Sequence, residues 1–340
     1  MSTATAGQAV RRIAEHVSTH RLGRVEIVLH GGEPLLVGPA RTADLARQFG
    51  ALPDTEVALT LQTNGVLLDD EVLRVAHRHH IRIGVSLDGA AADHDRHRRF
   101  AGGHGSHSAT ARALELLTEP IHRPLFAGLL CTVDLRADPL GTYDELLRFA
   151  PPAVDFLLPH GNWTDPPPGR NADVSHTPYG DWLIAIFDRW YHGKAGGTEV
   201  RLFREIMQLL LGGQSAVETV GLSPSSLLVV ETDGSVEQVD TLKSAYHGAS
   251  GIGLNIWQHS IDEALLHPGV AARQIGIAAL ADECQGCAIR SVCGGGYYPH
   301  RYRKGAGFRH PSVFCPDLMA LIVHIKAAMQ DDLKRLRPGP

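Results

Sequence analysis

Over its first 160 residues the chain alternates between helical and strand-like segments joined by short connections, a pattern with few three-dimensional solutions. An amphipathic stretch from Thr5 to His20 precedes a strand, Arg24 to Leu29. Helix Arg41 to Phe49 leads to strand Glu56 to Leu61, and helix Asp69 to His79 leads to strand Ile81 to Leu87. Asp69 and Asp70 suit a helix N-terminus, where negative charge is favoured. Helix His107 to Thr118, strand Leu125 to Val133, helix Pro139 to Ala150 and strand Val154 to Leu158 complete the series. Repeated α/β alternation implies a parallel sheet. Near-continuous apolar strands such as Ile83 to Leu87 fit a sheet covered on both faces. On this pattern alone an open sheet and a partial barrel are equally good solutions.

Beyond residue 160 the texture changes. His160 to Tyr179, with three consecutive prolines from Pro166, reads as a loop or domain boundary. Two helices follow, Tyr179 to His192 and Val200 to Leu211, the second stopped by Gly212 and Gly213. From Ser226 the chain shows short strands, many glycines and a cysteine cluster, so the expected units are 1–160, 161–225 and 226–340.

A composition of 44% hydrophobic and 20% charged residues describes a globular protein with a core. The net charge of -5 argues against a nucleic-acid partner. No apolar run is long enough to span a membrane, and Met1 to Arg12 carries no secretory signal, so a cytoplasmic protein is expected. In a reducing compartment, four cysteines gathered between Cys284 and Cys315 favour metal ligation over disulfides. The fifth, Cys131, lies on an apolar strand and reads as a core thiol. His77 to His80 reads as a solvated helix end.

Parallel α/β folds bind ligands at the C-terminal ends of their strands. Three strands here end in distinctive residues: His30-Gly31-Gly32-Glu33-Pro34, Gln62-Thr63-Asn64-Gly65 and Ser86-Leu87-Asp88-Gly89. Two glycines let a ligand approach the backbone, and Glu33 can accept hydrogen bonds from an ammonium group. Any one of these could be a structural turn; three in succession are harder to ascribe to chance. At the other end, Cys284-x2-Cys287-x5-Cys293 precedes Gly294, Gly295 and Gly296, with Cys315 further on. Four thiolates can close a zinc site or hold an iron–sulfur cluster, and by spacing alone zinc is the commoner use.

Together these motifs resemble the radical S-adenosylmethionine (SAM) superfamily. The resemblance implies an α/β fold: a partial (β/α)6 TIM-type barrel missing its first strand, with a small C-terminal iron–sulfur domain of the SPASM type. It also implies that Gly31, Gly32 and Glu33 hold the amino group of S-adenosylmethionine, while Thr63, Asn64, Ser86 and Asp88 line its carboxylate and ribose. The basic run Arg96, Arg98, Arg99 stands where a carboxylate-binding arginine is often found, or is a solvated charge run. By the same resemblance Cys284, Cys287, Cys293 and Cys315 hold an auxiliary 4Fe–4S cluster. The positions of two further family cysteines are occupied by Val239 and Tyr297, which implies that a first auxiliary cluster is absent. Asp240 stands where related members carry a carboxylate that takes a proton from substrate, and is expected to face the cleft between barrel and cluster domain.

Three segments look most like the FxsB branch: His30 to Leu36, Val230 to Lys243 and Cys293 to Arg301. That implies a maturase forming a cross-link on a short precursor peptide, with an electron-donor protein as second partner. Radical enzymes of this class also carry Cys-x3-Cys-x2-Cys after the first barrel strand, and no cysteine precedes Cys131 here. The expectation is therefore an incomplete or inactive copy, without the catalytic cluster site and unable to cleave S-adenosylmethionine, with an open sheet edge beside Arg24 to Leu29. The alternatives are a non-catalytic relative that binds a peptide or partner, and a structural zinc-binding α/β protein.

Overall fold

A computed structural model describes residues 1–53, 55–170, 176–193, 197–225 and 227–336. Ser226, the expected start of the third unit, and the middle of the proline-rich loop lie outside the described residues. Six strands form one parallel sheet in sequential order: β1 (Arg24–Leu29), β2 (Glu56–Thr63), β3 (Arg82–Ser86), β4 (Phe126–Thr132), β5 (Ala153–Leu157) and β6 (Glu199–Val200). Helices α1 (Thr3–His20), α2 (Pro39–Phe49), α3 (Asp70–His79), α4 (Ala91–His97), α5 (His107–Thr118), α6 (Pro139–Leu147), α7 (Pro178–His192) and α8 (Arg201–Leu210) intervene. The expected α/β architecture is present, with β6 and α4 added to the elements anticipated from sequence.

Side chains alternate across each strand. Leu59, Leu61, Ile83, Val85, Leu129, Cys131, Val154 and Phe156 are buried in the main hydrophobic cluster with the helices. Their neighbours Gln62, Ser86, Thr132 and Asp155 therefore turn to the opposite, more polar face. On β1, Ile27 and Leu29 pack on the core while Glu26 and Val28 are exposed.

Among the described residues the remainder contains a small antiparallel sheet, β7 (Val229–Val230), β8 (Ser235–Glu237) and β9 (Gly251–Asn255), and five α-helices. These are α9 (Ile261–Leu265), α10 (Pro268–Ala271), α11 (Asp282–Gln285), α12 (Arg290–Cys293) and the long α13 (Cys315–Leu336). This C-terminal segment reaches both edges of the large sheet. Val236, Ile252 and Ile256 pack with Ala6, Ala9, Leu45 and Phe49 of α1 and α2 beside β1. Leu318, Leu321, Ile322 and Ile325 of α13 enter the main core, where α13 lies on α7 and α8 beside β6. Asp317 fixes that junction. Thr177, at the start of α7, makes no side-chain cap, and the buried Asp317 carboxylate instead accepts the Tyr179 and Gly180 N–H groups at 2.9 and 3.0 Å.

Candidate functional site at the strand ends and the cysteine set

The turn after β1 is open. Gly31 has φ +147°, which side chains other than hydrogen rarely allow, and a Cβ on Gly31 or Gly32 would meet nothing within 4 Å. Glu33 links this turn to the next strand end. Its Oε1 accepts hydrogen bonds from the Leu35 N–H at 3.0 Å and Thr63 Oγ1 at 2.7 Å, and Oε2 accepts the Asn64 N–H at 2.9 Å. The Asn64 carbonyl in turn accepts Thr110 Oγ1 at 3.0 Å. Glu33, Thr63 and Asn64 thus form one network across the ends of β1 and β2, beside an exposed glycine pair.

Ser86 and Asp88 belong to neighbouring networks. Ser86 Oγ accepts Gln62 Nε2 at 3.2 Å on the polar face of the sheet. Asp88 accepts the Thr132 N–H at 2.9 Å and is ion-paired with Arg98, joining the end of β3 to β4. The Asp88 N–H donates to Nδ1 of His94 at 3.2 Å. Burial pulls His94 down to about 4, so its imidazole stays neutral and keeps that acceptor lone pair. Each arginine of the basic run has an internal partner. Arg96 binds Asp93 and Asp134 at 2.7 and 2.6 Å, Arg98 binds Asp88, and Arg99 donates to the Gly103 carbonyl. Gln62 stands in the strand-end motif read from sequence but without an assigned role, and His94 and Thr132 were not singled out as site residues from sequence. For Gln62 the signal was its parity on β2, two residues after Thr60.

Cys284 lies on α11, Cys287 just beyond it, Cys293 closes α12 and Cys315 opens α13; all four are free thiols. Burial raises Cys284, Cys315 and Cys293, the last to about 12, and the Cys315 sulfur further raises Cys284 and Cys293. No three of the four sulfurs lie mutually within 4.8 Å. Among the described residues, two groups of three or more potential ligand atoms lie within 4.8 Å of one another, and neither contains a cysteine. Beside the set, the buried Arg301 guanidinium donates to the carbonyls of Gly294 and Gly296 and holds the triple-glycine turn closed.

Val239 and Tyr297 meet in a small apolar cluster with Leu242, Ala249, Tyr298 and Phe308. Asp240, next to Val239, begins a short 3-10 helix, Asp240–Ser244. The Ser244 carbonyl at its far end accepts Asn162 Nδ2 at 3.2 Å, so the helix abuts the loop that follows β5. The Asp240 carboxylate is half-exposed and shares Lys243 Nζ with Glu231 and Glu237, at 3.1, 2.9 and 3.0 Å.

Comparison with known proteins adds an independent line. Residues 7–131 match the Radical SAM superfamily. A serine-type anaerobic sulfatase-maturating enzyme of Klebsiella aerogenes is 28% identical over 314 residues, 90% of this chain and 74% of that protein. A cysteine-type counterpart from Clostridium perfringens is 26% identical over 242 residues, covering 68% and 64%. Among solved structures, native anSMEcpe with bound AdoMet and the Cp18Cys peptide superposes with a TM-score of 0.84 at 21% identity, over 99% of this chain and 92% of that one. Streptococcus suis SuiB bound to its precursor peptide SuiA gives 0.56 at 13% identity, over 91% and 69%.

Proposed function

We propose, from the match of residues 7–131 to the Radical SAM superfamily, that the protein is a maturase of a peptide or protein substrate in a copy that lacks the catalytic-cluster cysteines. One observation carries the reading: a single chain pairs the Glu33–Thr63–Asn64 network, beside an open glycine turn, with a set of four buried or half-buried thiols. The turn has room for a ligand's ammonium group to reach Glu33, and Thr63, Asn64, Ser86 and Asp88 would line the rest of S-adenosylmethionine. This chain has no Cys-x3-Cys-x2-Cys set to hold a reducing cluster beside that cofactor, since no cysteine precedes Cys131, so no radical step is assigned to it. The relatives support the substrate class, since two of the solved neighbours hold peptides.

Cys284, Cys287, Cys293 and Cys315 would hold a 4Fe–4S cluster. Zinc bonds of about 2.3 Å would bring four sulfurs to about 3.8 Å from each other, closer than this set lies. A cubane cluster binds each thiolate to a different iron and so needs them further apart. The finer reading is a cross-link on a short precursor peptide, with Asp240 accepting the substrate proton and a separate protein donating electrons. To act, Asp240 must exchange its Lys243 contact for the substrate.

The cofactor test is calorimetry with S-adenosylmethionine on the full chain and on Glu33→Gln. The variant places an amide where the carboxylate accepts three donors, so at least tenfold weaker binding, about 1.4 kcal/mol or more, is expected. Equal affinity would remove Glu33 from the site. Iron and sulfide analysis tests the cysteine set: roughly four of each per chain are expected, and one zinc with no sulfide overturns the cluster. For the substrate, mass spectrometry of a precursor peptide co-expressed with a form extended to carry the Cys-x3-Cys-x2-Cys motif should show loss of two hydrogens without a carbonyl-reactive product, and no change with this chain alone. A carbonyl product would overturn the cross-link and keep the maturase.

A further inference from the structure

Two groups of side chains converge closely enough to hold a cation among the described residues. Glu231, Glu237 and Asp240 already share the Lys243 ammonium group. The other group has different chemistry and no such internal cation. His16 and His20 lie one turn apart on α1, on one face of the helix. Nδ1 of His16 and Nε2 of His20 approach the same atom, Oδ1 of Asp262 on α9, at 2.6 and 2.9 Å. The rings lie against each other with centroids 4.5 Å apart.

We propose that His16, His20 and Asp262 form a binding site for a divalent late first-row transition ion, of the class of zinc or cobalt, that clamps α1 to α9. Two imidazoles and a carboxylate are a ligand set suited to such ions and poorly suited to magnesium or calcium. Bonds of about 2.1 Å to one ion would set the three ligand atoms about 3.0–3.4 Å apart. The two separations from Asp262 need to grow by about 0.1–0.8 Å and the two ring nitrogens already lie within 4.8 Å of each other, while the side chains of His20 and Asp262 are 47% and 41% exposed and free to adjust. That exposure also leaves the remaining coordination positions to water.

Neighbouring charges do not oppose the ion. Arg12, one turn earlier on α1, directs its guanidinium to the Ile256 carbonyl and to Glu15, each at 2.8 Å. Glu263, next to Asp262, is held in a capping box with Ser260. The consequence is mechanical. The small sheet and α9 meet the large sheet through α1 and α2, so the ion would lock the C-terminal segment to the β1 side, across the sheet from α13.

The test uses the full chain with its cysteine set already loaded with iron and sulfide, titrated anaerobically with cobalt(II). One further cobalt should bind, with weak visible absorption and no intense thiolate-to-metal charge-transfer band. A charge-transfer band would instead show that the cysteines were still free, a failure of the cluster reading that leaves the histidine site to the next two measurements. His20→Ala and Asp262→Asn should each weaken binding at least about tenfold, as loss of a supporting residue alone does at metal sites. X-ray absorption on wild-type protein should count two imidazoles around the ion, whatever the variants' stability. No cobalt beyond the cysteines, unchanged affinity in both variants, or a shell without imidazole would overturn the proposal.

Discussion

Asp155 is the lone charge in an apolar strand and sits on the polar face of the sheet, in register with Leu130 of β4. Burial raises its carboxyl to about 6; the Arg201 guanidinium at 3.5 Å draws it back, and Glu205 adds to the rise. Because the folded value lies above the unfolded one, the native state binds the proton more tightly. That contribution to stability is present near pH 4 and is lost as the pH climbs through 6. Asp155→Asn keeps the shape and removes the titration. It should be more stable than wild type by about 1–2 kcal/mol at pH 8, and equal to it at pH 4, by urea unfolding at both. Equal stability at pH 8 would mean that Arg201 fully offsets the burial. The residue was legible in principle: Val154 and Phe156 are apolar at alternate positions, which assigns Asp155 to the other face. His94 was not legible. Its neutrality depends on burial against Ser106 and Asp88, which no local pattern reveals.

At the scale of elements, the turn after α12 shows how a local motif is held by a distant one. Gly294, Gly295 and Gly296 all have positive φ, and a Cβ on Gly294 would stand 1.7 Å from the Gly221 carbonyl oxygen. Gly294→Ala must therefore displace the backbone next to Cys293. A loss of about 2 kcal/mol or more is expected, with a lower melting temperature and less iron in the proposed cluster. Gly23→Ala, where a Cβ meets nothing within 4 Å, is the matched control and should change neither. The longest helix, α13, was missed from sequence although Leu318, Leu321, Ile322 and Ile325 repeat at helical spacing. Strand β6, two residues long, offered no period to read and exists because it pairs with β5.

Across the whole molecule, the C-terminal segment spans the large sheet from the β1 side to the β6 side, and the cysteine set lies along that span. Metal binding at such a set is coupled to folding of the segment that carries it. Removing the proposed cluster should therefore speed hydrogen exchange in residues 280–315, while β2, β3 and β4 stay protected by their own buried core. Uniform loss of protection would mean that the two regions unfold as one. No helix among the described residues is long and apolar enough to cross a membrane.

Local order along the chain was enough to determine five of the six parallel strands, most of the helices between them and the motifs at three strand ends. Hydrophobic period, turn residues and cysteine spacing are all short-range signals, and they survive without knowledge of what packs against them. What only the tertiary structure decided are the pairings across distance: Glu33 with Thr63 and Asn64, Arg98 with Asp88, Asp317 with the start of α7, and His16 and His20 with Asp262. The physical reason is that a polar side chain's role is set by the partner that shares its desolvated neighbourhood. Among these pairings the partner lies up to 246 residues away along the chain, where no sequence period reaches.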